Sequence, residues 1–174
     1  MLDSKESLTS TARKRGRSAS SRGDTIDRSV IHLLHRASQR ASELFALETR
    51  DFDLTARQYA VIATIARHEG LSQTGLVRIT GIDRSTLADV VQRLLRRGII
   101  QRERTTRDGR TYAISLSEDG RALLQAIKPY AKRADKTVLH VLGDEEGRLA
   151  MEVLSRLVRK AEEAQFGSKP VNGF

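Results

Sequence analysis

Cysteine is absent from this chain of 174 residues. Its absence excludes disulfide bonds, cysteine-ligated zinc or iron–sulfur sites, and regulation through a thiol. Long apolar runs are also missing, because the longest, such as residues 60–66, fall far short of the roughly 20 residues that span a bilayer. No apolar segment follows the basic residues at 13–17, so a secretory signal is not supported. We therefore expect a cytoplasmic protein that does not enter the membrane.

Acidic residues are fewer than basic ones: the chain has 22 Asp and Glu and 31 Lys and Arg, so its formal net charge is +9. Such a bias favours a polyanionic partner, and nucleic acid above an acidic membrane. Residues 1–23 are rich in Ser, Thr, Lys and Arg and contain almost no large apolar side chain. They cannot offset the entropy of ordering, so we predict a disordered basic tail. The tail is either a solvated leader without a role or an arm that contacts DNA phosphates nonspecifically.

Helical spacing begins directly after this tail. From residue 24, apolar side chains recur at intervals of three and four residues, which predicts a first helix over 24–48. Thr55 and Gln58 then form a capping-box pattern, and Gly70 is a residue type at which helices commonly end. These signals predict a second helix over 55–69.

A helix-turn-helix pattern follows. Ser72 precedes a short helix that Gly81 ends, and Asp83 caps a further helix that stops at Gly98. Two helices joined by a short turn with glycine form the helix-turn-helix arrangement, a pattern of moderate specificity. On a helical wheel the second helix has apolar residues on one side and polar residues on the other, so its polar face is either a solvated surface or a DNA-reading one. On the DNA-reading hypothesis, the predicted contacts of this unit are Ser72, Gln73, Arg84, Ser85, Thr86, Asp89, Gln92 and Arg93.

A short ribbon comes next in the sequence. Asp108-Gly109 lies between runs of β-branched and aromatic residues, which predicts a two-stranded hairpin with a tight turn. Arg102, Arg104, Arg107 and Arg110 surround this turn and could reach phosphates or a minor groove. A basic hairpin immediately after a helix-turn-helix indicates a wing. We take Arg104, Arg107 and Arg110 as the predicted DNA contacts of this wing.

The remainder of the chain is helical by its pattern. Ser117 opens a long helix to about Leu142, with an irregularity expected near Pro129. A last helix starts at Asp144 and fades before residues 167–174, which we expect to be flexible. The predicted fold is mainly α with a small two-stranded β wing. No nucleophile–base motif, metal quartet or phosphate-binding glycine loop is present, so neither an enzyme nor a cofactor is expected.

Three segments, "LTARQYAVI", "DRSTLADVVQRLLRRGIIQRE" and "RDGRTYAISLSEDG", resemble the MarR-type winged-helix transcription regulators. With the flanking helices the resemblance covers about residues 25–165. It implies one domain over 24–166, in which helices of 24–50 and 117–166 form a dimerisation region and 54–116 form the winged helix-turn-helix. It also implies a homodimer that reads a palindromic DNA operator, with Arg107 and Arg110 at the basic positions of the wing.

The resemblance further implies a small-molecule effector. Family members often respond to aromatic acids, phenols or their derivatives, bound between the dimerisation helices and the winged part. Side chains that could hold a carboxylate or stack on a ring are His32, His35, Arg36, Arg57 and Tyr59, although each could equally lie at a dimer contact or in solvent. With four histidines and no cysteine, we expect no metal site. A larger anion, such as an acyl coenzyme A thioester, is a further candidate for the effector.

The leading hypothesis is therefore a homodimeric repressor that leaves its operator when a small aromatic or phenolic anion binds. The alternative from a different class is a nonspecific architectural DNA-binding protein, for which the basic tail and wing would suffice.

Overall fold

The computed structural model describes residues 26, 28–104 and 112–166, and the side chains of Arg104, Gln165 and Phe166 are not described. Six α-helices and one antiparallel strand pair lie in these residues. In chain order the elements are α1 (Val30–Glu48), α2 (Ala56–Arg67), α3 (Gln73–Thr80), α4 (Arg84–Arg96), β1 (Ile100–Arg104), β2 (Tyr112–Leu116), α5 (Glu118–His140) and α6 (Asp144–Phe166). The mainly helical fold with a two-stranded wing is confirmed, whereas the predicted tail and C-terminal end lie outside the described residues.

Two helix boundaries differ from the predictions. The predicted first helix is interrupted at residues 28 and 29, which are not helical although residue 26 is, and α1 starts at Val30. The Ser29 hydroxyl accepts a hydrogen bond from the His32 backbone N–H there, as an N-cap residue does. The second helix ends at Arg67, two residues earlier than expected. Between α1 and α2 the chain also forms a short 3₁₀ helix, Arg50–Phe52, for which the sequence offered no signal.

The predicted capping box of α2 is present. The Thr55 hydroxyl accepts from the Gln58 N–H at 3.2 Å, and the Gln58 side-chain oxygen accepts from the Thr55 N–H at 2.9 Å. Both bonds satisfy donors that have no partner inside a helix, so the box determines where α2 starts. At the other end of the fold, α5 stays helical across Pro129.

The two strands pair in register from Ile100 with Leu116 to Arg104 with Tyr112. A third segment joins this ribbon, because Leu71 forms a bridge to Ile114 and the Ile114 N–H donates to the Leu71 carbonyl at 2.9 Å. The base of the wing is thereby attached to the connection between α2 and α3. The turn of the wing, with its Asp-Gly pair, lies outside the described residues.

One hydrophobic core supports α2, α3, α4, the ribbon and α5 as far as Ala134. Aliphatic side chains dominate it, and the fully enclosed ones come from every one of these elements. The cluster comprises Phe45, Leu54, Val61, Ile62, Ile65, Leu76, Leu87, Val90, Val91, Leu94, Ile99, Ile100, Ile114, Leu116, Leu124, Ile127, Ala131 and Ala134. Because α4 contributes four buried residues on one face, its opposite face must point outward.

Two compact units, Met1–Ala37 and Ser38–Phe174, divide the chain, so their boundary falls within α1. Each unit exposes large apolar side chains of its own. In the first unit these are Ile26, Val30, Ile31, Leu33 and Leu34. In the second unit they are Leu47, Ile79, Tyr112, Val141, Leu142, Leu149, Met151, Val153, Leu154, Leu157 and Val158. Within the described residues, no helix combines the length and hydropathy needed to cross a bilayer.

Candidate DNA-binding site

The turn between α3 and α4 is built from local hydrogen bonds. Ser72 caps α3 by accepting from the Gly75 N–H at 3.1 Å, and Gly81 ends it in a left-handed conformation with φ of +66°. A side chain with Cβ rarely adopts that conformation, which explains a glycine at this point. The Thr80 hydroxyl donates to the Leu76 carbonyl at 2.7 Å and accepts from the Ile82 N–H at 3.3 Å. The crossing of the two helices is thus determined by residues adjacent in sequence.

Asp83 organises the start of α4, the end that enters the major groove in helix-turn-helix proteins. Its carboxylate accepts from the Thr86 N–H at 2.9 Å and from the Ser85 hydroxyl at 2.6 Å. These hydrogen bonds favour the charged form and lower the pKa of Asp83 below its ordinary value. The Ser85 side chain is therefore held in place beside the helix terminus.

The outward face of α4 is polar along its length, as predicted. Leu87, Val90, Val91 and Leu94 are buried, whereas Ser85, Asp89 and Gln92 are exposed on the other side. Asp89 and Arg93 are one turn apart and form an ion pair, with Arg93 Nε donating to Asp89 Oδ2 at 2.9 Å. More than half of each side chain is exposed, so the pair contributes little to stability. It does orient the Arg93 guanidinium along this face.

The base of the wing contacts the start of α3. Arg102 Nη2 in β1 donates to Gln73 Oε1 at 3.3 Å, although the two residues are 29 apart in sequence. Gln73 is half-buried and was predicted to contact DNA, and this bond places an arginine of the wing next to it. The two predicted parts of the interface, helix pair and wing, therefore meet at this point.

The structure describes some of the remaining predicted contacts and not others. Arg84 is exposed at the start of α4, and Ser72 and Thr86 are half-buried near the same turn. Arg104 lies in β1, but its side chain is not described. Arg107 and Arg110 lie outside the described residues, so their roles stay predictions.

Thr74 and Arg78 were not among the predicted contacts, yet they line a groove between α3 and the start of α4. This groove, of about 440 Å³, is lined by hydroxyl and guanidinium groups, among them Thr74, Arg78 and Arg84. Such groups are common phosphate ligands in DNA complexes. Arg78 follows Thr74 by four residues, a spacing that places both on one side of a helix and that could have identified the pair.

The predicted effector residues are distributed between the two units. His32 is half-buried and His35 and Arg36 are exposed in the first unit. In the second unit Arg57 lines a cavity of about 690 Å³ together with Arg93. Among residues 28–104 and 112–166, no cluster of three or more His, Asp or Glu that could hold a metal ion is found.

Tyr59 lies in the second unit and is held in an aromatic contact. Its ring packs on Phe45 at 5.4 Å between centroids, and it is not among the residues that line the cavity of Arg57. Burial raises the pKa of the Tyr59 hydroxyl, and the nearby carboxylate of Asp135 raises it further. The side chain therefore stays a neutral phenol near neutral pH and can donate a hydrogen bond.

Comparisons with known proteins agree with this geometry. A family model described as MarR family matches residues 52–111, the segment from the end of the short 3₁₀ helix into the wing. The chain is 29% identical to the HTH-type transcriptional repressor NicR of Pseudomonas putida, over 80% of this chain and 88% of NicR. It is 30% identical to the transcriptional regulator HosA of Escherichia coli O111:H-, over 72% of this chain and 97% of HosA.

A solved structure extends the likeness to three dimensions. Bordetella bronchiseptica BpsR, described in a study of how 6-hydroxynicotinic acid regulates its DNA binding, is similar with a TM-score of 0.68. The identity is 30%, and the match covers 76% of this chain and 94% of BpsR. Similarity in sequence and fold thus extends over nearly the whole length of these regulators. The chain belongs to the MarR family and is a DNA-binding transcriptional regulator with a winged helix-turn-helix.

Proposed function

We propose that the protein is a homodimeric repressor that binds a palindromic operator and is released from it by a small aromatic anion. The observation that carries this proposal is the outward face of α4. That face is polar throughout, starts with short side chains ordered by Asp83, and lies on a helix whose other face is fully buried. A rigid, capped helix with an exposed polar face is what major-groove readout requires.

Individual roles follow from position and chemistry. Gln92 is exposed and carries an amide that can pair with an adenine edge, so we assign it to base readout. Arg84, Gln73 and Arg102 surround the start of the helix pair and are assigned to phosphates. Asp89 holds Arg93, and we assign it the positioning of that guanidinium.

Dimerisation is proposed from the exposed apolar residues of α6. The helix is 23 residues long, yet nearly every large apolar side chain on it is accessible, including Leu149 at 58% and Val158 at 56%. Burying such a face contributes about 25 cal/mol per Å² of apolar area, so a second copy of the chain would gain by covering it. A two-fold dimer would present two copies of α4, which matches a palindromic site.

The effector proposal rests on the relatives and on candidate side chains. NicR is named a repressor, and DNA binding by BpsR is regulated by 6-hydroxynicotinic acid, an aromatic acid. The cavity beside Arg57 has a volume typical of small-molecule sites and a guanidinium suited to a carboxylate. We therefore place an aromatic acid ahead of a phenol or an acyl coenzyme A thioester. His32, His35, Arg36 and Tyr59 remain further candidates for contact.

A protein with this role acts where the chromosome is, so we propose a cytoplasmic location. Its relatives are regulators, and we propose no catalytic activity for it. The architectural alternative predicts similar affinity for every duplex. The outward face of α4 instead carries polar side chains that can read base edges, which favours a specific operator.

The proposal is tested by fluorescence anisotropy with labelled DNA from upstream of the protein's own gene and a random duplex of equal length. Tight binding to the first alone is expected, with a loss of affinity as salt rises. Gln92→Ala should change the preference among operator variants, Arg84→Gln should weaken all of them alike, and Lys128→Gln on α5 serves as the charge control. Equal affinity for both duplexes would select the architectural alternative.

The same assay tests release, with 6-hydroxynicotinate, benzoate and salicylate added in turn. One aromatic acid is expected to lower the affinity of the wild type and to lose its effect in Arg57→Gln. Light scattering after size exclusion tests the dimer, and Leu154→Glu on α6 should produce a monomer. A wild type that is already monomeric at micromolar concentration would reject the dimer.

A further inference from the structure

A second cavity, of about 600 Å³, lies where the C-terminal end of α4 meets the connection between α1 and α2. Four arginines line it, Arg50 from the connection and Arg93, Arg96 and Arg97 from the end of α4. We call it the arginine cavity. Among the residues described at its wall, Asp53 supplies the one carboxylate, so the cavity has a clear excess of positive charge.

Two of these guanidiniums are held by the protein. Arg97 Nη1 donates to the Asp53 carbonyl at 2.6 Å, and Arg97 Nη2 lies 3.6 Å from the Asp53 carboxylate. This contact holds Asp53 in its left-handed conformation, with φ of +47°, and so shapes one wall of the cavity. Arg93, another residue of the wall, is paired with Asp89, which does not line the cavity. Both cations are thus oriented before any ligand arrives.

The other two guanidiniums have free donors. Arg50 and Arg96 are exposed, and neither forms an ion pair or a side-chain hydrogen bond within the part of the chain that the structure describes. Like charges around one cavity repel each other, and an anion would relieve that repulsion. Arginine also presents a planar fork of donors that fits phosphate or carboxylate oxygens in pairs.

A buried amide adds a neutral donor. Gln58 lines the cavity and is only 9% exposed, and its side-chain oxygen is used by the capping box of α2. Its NH₂ group has no hydrogen-bond partner among residues 28–104 and 112–166. This NH₂ group can donate a hydrogen bond to a ligand oxygen in the cavity.

We propose that the arginine cavity is a second binding site, which takes a compact small-molecule polyanion such as a phosphate or pyrophosphate ester. Its concave shape and volume are those of small-molecule sites, and the buried Leu54 forms part of its wall. The arginine cavity adjoins the cavity of Arg57, and the two share Ala46, Leu54, Thr55, Gln58 and Arg93. Arg50, Arg96 and Arg97 line the arginine cavity and not the cavity of Arg57.

Occupancy of this site also affects DNA binding, and that step rests on the proposed function. Arg93 borders the arginine cavity and pairs with Asp89 on the outward face of α4. A polyanion that attracts the Arg93 guanidinium leaves the Asp89 carboxylate uncompensated on the surface that meets DNA. Repulsion between that carboxylate and phosphates then lowers the affinity for DNA.

Isothermal titration of the full chain with inorganic pyrophosphate tests the site without DNA, at constant ionic strength set with KCl. Wild type should bind one pyrophosphate per chain. Arg50→Gln and Arg96→Gln should each weaken binding about tenfold, which corresponds to about 1.4 kcal/mol. Arg67→Gln, an exposed arginine at the end of α2 that lines neither cavity, is the matched control and should bind as wild type does.

Absence of saturable binding, or an equal loss in Arg67→Gln, would overturn the site. Unchanged melting temperatures of the variants would show that any loss is not due to unfolding. The effect on DNA is measured separately by anisotropy, where pyrophosphate should weaken wild-type binding more than binding by Arg96→Gln. Equal weakening of both would overturn the coupling and leave the site standing. Failure of the protein to bind any DNA would reject the proposed function, and the titration would still decide the site.

Discussion

Gly120, in the first turn of α5, is the residue at which a single methyl group should perturb the fold most clearly. A Cβ added there would lie 2.0 Å from the Ile99 carbonyl oxygen. The same oxygen accepts hydrogen bonds from Ser117, through its N–H at 3.1 Å and its hydroxyl at 3.0 Å. Gly120→Ala therefore forces α5 away from the chain that links α4 to the wing.

Two opposing contributions to the free energy of unfolding determine whether Gly120→Ala stabilises or destabilises the protein. Alanine is about 1 kcal/mol more favourable than glycine inside a helix. Against this, the separation must grow by about 1 Å, since real Cβ contacts are not found below 3.0 Å. Two hydrogen bonds of about 1 kcal/mol each would be weakened, and overpacking costs about 1–3 kcal/mol. We expect a net loss of about 2–4 kcal/mol in the free energy of unfolding, or roughly 5–15 °C in melting temperature.

Thermal unfolding followed by circular dichroism at one fixed protein concentration would measure this loss, because oligomerisation makes the melting temperature depend on concentration. Two alanine variants calibrate it. At Gly98 the cost is backbone strain alone, about 1–2 kcal/mol, because φ is +66° and no atom lies within 4 Å of the added Cβ. At Gly147 the added Cβ would lie 3.3 Å from the Leu139 carbonyl oxygen, so a near-neutral effect is expected. A Gly120→Ala protein that melts no lower than Gly147→Ala would refute the packing argument.

Three further predictions concern the helix starts and the DNA face. Thr55→Ala removes half of the capping box with Gln58 and should cost about 1 kcal/mol in unfolding free energy, measured by urea titration. The lowered pKa of Asp83 means that its stabilisation is present above its ordinary pKa of 3.8 and is lost as pH falls below it, so the difference in melting temperature between wild type and Asp83→Asn should shrink from pH 6 to pH 3. A difference independent of pH would show that the charge is not involved. Asp89→Asn should tighten binding to all duplexes about fivefold at low salt, because it removes a carboxylate that repels the phosphates. Loss of preference at one operator position would instead assign Asp89 to base readout.

The features that sequence could predict depend on residues close together in the chain. The capping box of Thr55 and Gln58, the left-handed Gly81 and the cap at Asp83 each act over three or four residues. Apolar periodicity then predicted the inward face of α4, since a buried stripe has the period of the helix itself. A helix start depends on the same local balance, and the start of α1 at Val30 was missed because the Ser29 cap was overlooked.

Contacts between distant residues were beyond such reasoning. Arg102 meets Gln73 across 29 residues, and Arg97 meets Asp53 across 44. No local preference encodes either pair, because the core determines which surfaces come together. The predicted effector residues illustrate this limit of sequence-based prediction. They were chosen because their side chains can bind a carboxylate or stack on a ring, and of the five only Arg57 lies at a described cavity of suitable size.

The end of α4 shows how the two levels combine. Positive side chains are favourable in the last turn of a helix, where they face the carbonyl end of the macrodipole, and this local rule alone accounts for Arg93, Arg96 and Arg97. It predicts a solvated basic terminus and nothing more. The tertiary fold places Arg50 and the amide of Gln58 at the same cavity, and neither is explained by the helix. The C-terminal end of α4 would be stable in solvent without a ligand, but Arg50 and Gln58 add the donors that an anion site requires. Arg93 belongs both to this site and to the DNA-binding face of α4.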